Sequence, residues 1–151
     1  LVHVGLLASA PSADVRARVQ AVVAAAGNRI KVAGDIINYL EFFQDDAEFE
    51  YEEKSFTKRL RVNGVAARLR SFRQQLATVN PFAAAEIEAE LHHFVEINGI
   101  KIAQIIHAVR VAVTGKTVGF GLFEAMELIG RSSCLARIDR ALSLTDYQDT
   151  V

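Results

Sequence analysis

Between Gly99 and Phe123 the chain carries Lys101, His107, Arg110, Lys116 and Phe120 and no acid at all. These residue types suit one kind of chemistry. Lys and Arg bind phosphates, Arg also donates to unpaired base edges, and an exposed Phe stacks on a base. The residues alone support a second reading equally well, with Phe120 in the core and Arg110 paired to an acid elsewhere.

Other candidate constellations fail on geometry. Gly115-Lys116-Thr117 has the ending of a phosphate-binding P-loop, but that loop needs a Gly five residues before its second Gly so that amides wrap the phosphates. Residue 110 is Arg and no strand pattern precedes it, so nucleotide binding by this route is excluded. A helix ending at Gly115, with Lys116 at its negative dipole end, explains the same residues. His92 and His93 are adjacent, so on a helix their rings diverge by about 100°, a poor arrangement for one metal. Their neighbours Glu88 and Glu96 suit surface hydrogen bonds instead. Cys134 lies near an expected helix N-terminus, which would lower its pKa, but it has no evident base or oxyanion motif. Asp45-Asp46 and Glu52-Glu53 read as solvated loop.

The elements that must position these residues are helical. Ser12 suits an N-cap, Val15, Val19, Val22, Val23 and Ala26 follow as a stripe, and Gly27-Asn28 ends it. A second helix carries Ile30, Ala33, Ile36, Ile37, Leu40 and Phe43; Gly34 within it suggests close packing there. An acidic connector follows, then a short helix with Phe56 and Leu60. Asn63-Gly64 breaks it. Val65, Leu69, Phe72, Leu76 and Val79 form a longer stripe. Asn80-Pro81 predicts a restart with Asn as N-cap and Pro at the first helical position. Ile87, Leu91, Phe94 and Val95 come next, then Ile102, Ile105, Ile106, Val109 and Val113, then Leu122, Phe123, Met126 and Ile129. Ser132 or Ser133 caps a last helix with Leu135, Ile138 and Leu142, and the tail from Ser143 is expected to fray. The expected fold is all-α, with about eight helices in two packed subdomains. These are residues 1–80, with the acidic connector, and 81–151, with the 99–124 segment.

Composition sets outer bounds. At 151 residues and 51% apolar, the chain suits a packed domain rather than disorder. One cysteine excludes an intrachain disulfide and a cysteine zinc site. The apolar runs are short and interrupted by Gln104, His107 and Arg110, so no membrane span is expected. The apolar opening, which includes His3, has no basic segment and no initiator Met; a piece of a longer protein is expected rather than a secreted one. The net charge of −1 offers no global attraction for nucleic acid. Its distribution is uneven, however. Every charged residue from Glu41 to Glu53 is an acid, and every one from Lys54 to Arg73 is a base. Such blocks are expected to be solvated faces that interact with each other; a basic face for phosphates is the lesser reading.

The wording of Gly99 to Glu124, G-I-K-I-A-Q-I-I-H-A-V-R-V-A-V-T-G-K and then G-L-F-E, resembles the C-terminal anticodon-binding region of bacterial-type glutamyl-tRNA synthetases. M-E-L-I-G and L-A-R-I-D-R-A-L downstream, with A-A-G-N-R-I-K-V-A-G-D-I and Y-E-E-K-S-F-T-K-R-L upstream, are similar to the same family in the same order. The resemblance spans roughly Ser12 to Leu142. It implies an α-helical anticodon-binding cage that grips the anticodon stem-loop of glutamate tRNA. It also implies that Arg29 and Arg110 read the anticodon region, with Gly119, Phe120 and Leu122 contributing partly through backbone groups. Lys54, Lys58, Lys101, His107 and Lys116 are the candidates for the tRNA backbone. Two departures stand out. Ala108 replaces a usual Pro, and Gly119-Phe120 replaces a hydroxyl residue followed by Pro, removing a fixed φ and a possible base contact.

The HIGH-like and KMSKS-like motifs of the family's catalytic domain do not occur in this sequence. No cofactor is expected in this chain; ATP and Mg belong to the catalytic domain of a parent glutamate–tRNA ligase. A cytoplasmic, monomeric tRNA binder is the expectation. A helical protein-interaction module that has lost RNA reading is the alternative, and exposure of Arg29, Arg110 and Phe120 on one concave face would separate the two.

Overall fold

The computed structural model describes residues 12–146; the apolar opening, His3 and the last residues lie outside the described residues, as does the Ile37 side chain. Seven α-helices and three 3-10 segments make up the described residues, which contain no strand. The helices are α1 (Ala13–Ala26), α2 (Glu53–Arg59), α3 (Val65–Leu76), α4 (Ala84–Ile97), α5 (Ile106–Thr114), α6 (Leu122–Ile129) and α7 (Arg131–Asp146). The all-α expectation holds. The missing eighth helix is the second one: Ala33–Phe42 is 3-10 turns broken by a kink at Tyr39, which has φ −122° and ψ 30°. Short pieces of this kind are the usual form of 3-10 structure.

The apolar stripes were well marked. Val65, Leu69, Phe72 and Leu76 on α3, and Ile87, Leu91, Phe94 and Val95 on α4, are all buried. Each such side chain contributes about 1.5–3 kcal/mol by leaving water. α7 packs on α3, α5 and α6; α4 packs on α3 and α6; α2 packs on α5. α1 lies against α6 and the Ala33–Phe42 segment. Val22 and Ala26 of α1 are buried, but Val23 is exposed.

Several ends differ from the expectations. Ser12 caps α1 by accepting from the Val15 amide at 3.4 Å, and Gly27 ends it with φ +53°, both as expected. Asn80-Pro81 does not start α4; the helix begins at Ala84, and Glu127 of α6 accepts from the Ala84 amide at 2.8 Å. A carboxylate from another helix therefore takes the capping role, where the dipole favours it. Ser132 and Ser133 lie inside α7 rather than capping it, because Gly130 already breaks the chain with φ +89°. α7 also runs past Ser143 to Asp146, where Thr145 is buried and Asp146 pairs with Arg70. Gly34 is not a close-packing point: a Cβ there would meet nothing within 4 Å.

Candidate functional site

α5 ends where Gly115 adopts φ +77° and returns its amide to Val111 O at 2.8 Å. Only Gly fits. A Cβ would stand 2.8 Å from Glu50 O and 3.2 Å from Phe49 Cζ, in a left-handed conformation that already disfavours side chains. The loop that follows is fixed from both sides. The Thr114 hydroxyl donates to Arg110 O at 2.7 Å, with Lys116 O at 3.1 Å. Arg110 Nη1 donates to Phe120 O at 2.9 Å, across the loop. Arg110 is half-buried, and burial lowers its pKa from the usual value, while Glu124 opposes the shift. Gly119 is exposed with φ +155°, and Val118 beside it is 71% exposed.

Phe120 is not a surface ring. It is 4% exposed and stacks on Phe42 at 5.2 Å and 9°, with Tyr39 tilted against it at 5.7 Å. The expectation of a base-stacking Phe is corrected: the ring fills an aromatic cluster, and its carbonyl anchors Arg110. Leu122 is also buried, so its side chain serves the core. Lys116 is likewise committed inward. Its Nζ lies 2.8 Å from Glu41 Oε1, donates to Asn38 O and sits 5.5 Å from the Tyr39 ring centroid. Glu41 is only 7% exposed.

Arg29 lies elsewhere, exposed at the end of the 3-10 turn Gly27–Arg29. The turn after it is set by Asp35, whose carboxylate accepts from the Lys31 amide at 2.8 Å and the Val32 amide at 3.1 Å. Those backbone bonds hold the Asp35 carboxyl below the usual carboxylate value. Arg29, Arg110 and Phe120 thus differ in exposure: one exposed, one half-buried, one buried.

Lys54, Lys58 and Lys101 are exposed. His107 on α5 is exposed too, and its pKa is lowered by partial desolvation and by the charges of Arg59 and Arg110. It is therefore mainly neutral near pH 7 and offers a hydrogen bond more than a charge. Arg59, a residue that no motif singles out, joins Arg110 in the field around His107. Its signal was its place in the basic run beside Lys58.

The acidic and basic blocks do not mainly answer each other. Glu53 pairs with Arg61, but Glu41 pairs with Lys116 and Asp46 with Arg137, both in the second half of the chain. Arg73 reaches Asp139 at 2.7 Å and Arg70 reaches Asp146 at 3.0 Å, both on α7. Asp46 is thus not free solvated loop. The connector is stapled to α5 and α7, with Glu52 N donating to Gly115 O at 2.9 Å and Arg140 Nε to Phe49 O at 2.8 Å.

Two other candidates read as structure. His92 Nε2 lies 3.9 Å from Glu88 Oε1, a loose surface pair. Cys134 is buried against Met126 O, and burial pushes its thiol up to about 12, the reverse of an activated thiol. Among the described residues, no three His, Cys, Asp or Glu side chains gather as a metal site, and no helix is long and apolar enough to cross a membrane.

Residues 5–142 match the family described as "Anticodon binding domain". Over 123 residues, 82% of its length, the chain is 40% identical to a glutamate–tRNA ligase of Moorella thermoacetica, of which it covers 25%. It is 31% identical to that of Roseiflexus castenholzii over 144 residues, covering 95% of this chain and 28% of the relative. The fold matches a crystal structure of a glutamate tRNA ligase from Elizabethkingia meningosepticum with a TM-score of 0.76 at 18% identity, over 89% of this chain and 26% of that one. The chain spans about a quarter of the length of these relatives.

Proposed function

The chain belongs to the anticodon binding domain family, and from that membership we propose that it recognises the anticodon stem-loop of glutamate tRNA. The observation that carries the reading is the family match over 5–142, a span that contains both Arg29 and Arg110. In this reading Arg29 presents its guanidinium to anticodon bases. Arg110 offers its remaining donors while Nη1 holds the loop, and Gly119 and Leu122 offer backbone groups. Lys54, Lys58 and Lys101 neutralise tRNA phosphates, and His107 adds a neutral donor. The 1–80 and 81–151 portions would act as the two sides of one grip. Aminoacylation, with its ATP and Mg, would belong to a catalytic portion of a cytoplasmic, monomeric glutamate–tRNA ligase.

The test is a fluorescence titration with a glutamate tRNA transcript and one altered in the anticodon. The cognate transcript should bind more tightly, and Arg29→Ala should narrow that gap. Equal, weak binding of both at low salt would overturn the reading and leave the interaction-module alternative.

A further inference from the structure

We infer that Lys116 is a positioning residue which, with Glu41 and Phe120, clasps the 116–121 loop onto the Ala33–Phe42 segment, so that the Arg29 turn and the Arg110 loop act as one recognition surface. The inference rests on the tRNA reading above and deepens it.

Lys116 makes every one of its described side-chain contacts to one 3-10 segment: Glu41 Oε1 at 2.8 Å, the Asn38 carbonyl and the Tyr39 ring. Phe120, from the far side of the same loop, stacks on Phe42 and meets Tyr39. One contact is ionic and one aromatic, and they grip the same segment from both ends of the loop. The chain of contacts continues outward. Arg110 holds Phe120 O, and Asp35 at the start of the segment fixes the Lys31 and Val32 amides that follow Arg29. Contacts and the covalent chain thus run from the turn after Arg29, through the Ala33–Phe42 segment, to Phe120 and Arg110. The ionic link also bears on Lys116 itself. Glu41 is buried, and drawing Lys116 away to a phosphate would leave an uncompensated carboxylate inside the protein. Lys116 therefore stays with Glu41 when RNA binds.

Spatial intermediacy alone does not establish coupling, so the test is a mutant cycle. Lys116→Met and Glu41→Gln (the latter keeps volume and hydrogen bonding) are made in the full chain, alone and with Arg29→Ala. Folding is verified by thermal melting. Binding is titrated with the glutamate tRNA transcript and the anticodon-altered one, and backbone hydrogen exchange is followed. Lys116→Met should cut the cognate-to-altered affinity ratio by about fivefold or more, leaving the salt dependence unchanged. Its effect should be less than additive with Arg29→Ala. Exchange should rise at 38–42 in Lys116→Met and at 117–121 in Glu41→Gln. A uniform loss for both transcripts with a flatter salt slope would make Lys116 a phosphate contact and overturn the inference. Unchanged exchange across the clasp would overturn it without reference to RNA. Wild-type chain binding both transcripts equally would instead remove the tRNA reading, and the inference with it.

Discussion

Arg137 is a charged side chain held at 2% exposure, and every described contact explains why it is there. Its Nε lies 2.6 Å from Asp46 Oδ1, Nη1 donates to Val113 O at 3.0 Å, Nη2 to Gln44 O at 3.4 Å, and the guanidinium sits 4.1 Å from the Phe49 ring centroid. Its own carbonyl accepts from the Tyr51 hydroxyl at 2.7 Å. Replacing it with Met keeps the stem but strands a carboxylate and two carbonyls, so Arg137→Met should cost about 2–4 kcal/mol in urea unfolding. Arg140→Met, which removes one bond to Phe49 O, should cost clearly less; equal losses would contradict the hub. Arg137 is buried on α7 with Cys134, Ile138, Ala141 and Leu142, a face that the sequence stripe of Leu135, Ile138 and Leu142 marks only in part. Its partner was not legible, because Asp46 looks like any loop carboxylate until the connector folds back. For Cys134 only the expected direction of the pKa shift is reversed, because its place near a helix start is visible in the sequence and its burial is not. Its thiol, raised from 9.0 to about 12, favours the folded state fully below pH 9 and loses that contribution as pH rises through about 12. Stability should therefore decline above pH 9 with a component that Cys134→Ala removes, and thiol labelling should follow unfolding rather than precede it.

At the scale of elements, helix stripes such as α3 and α4 could be read from spacing because their apolar faces repeat with the helical period. The Ala33–Phe42 segment carries the same kind of residues but forms 3-10 turns kinked at Tyr39, and it is held by distant contacts, Lys116 on Glu41 and Phe120 on Phe42, that no local pattern encodes. Two glycines separate the local from the tertiary cause. Gly34 lies in open space, so Gly34→Ala should be neutral or stabilise by up to about 1 kcal/mol through the unfolded chain. Gly115→Ala meets both a left-handed backbone and the Glu50 carbonyl at 2.8 Å, and should cost about 1–3 kcal/mol. Parallel thermal melts decide this; a Gly34 loss as large as that of Gly115 would mean the open space is not real. The Asn80-Pro81 start also differs for a tertiary reason: α4 begins only at Ala84, and the first free amide there is met from α6 by Glu127.

For the whole molecule, the net charge of −1 hides how the charges are spent. Arg70, Arg73, Lys116 and Arg137 are consumed in internal pairs. Lys54 and Lys58 of α2, which packs on α5, and Lys101 are exposed and take part in none of these pairs, and in the proposed reading they neutralise phosphates. Sequence blocks showed where bases concentrate but not which were already paired, since pairing is decided by α7 and the connector, far away in the chain. The distinction has a measurable consequence. Phosphate contacts release counterions, so Lys54→Ala and Lys58→Ala should weaken cognate and anticodon-altered tRNA alike and reduce the salt slope by about one each. Arg70→Ala and Arg73→Ala, whose charges answer Asp146 and Asp139, should leave that slope nearly unchanged and lower stability only modestly, as exposed pairs do. If Arg70 and Arg73 flatten the slope as strongly as the α2 lysines, the RNA path runs over α3 and α7 instead, and the α2 face is not the one that meets phosphate.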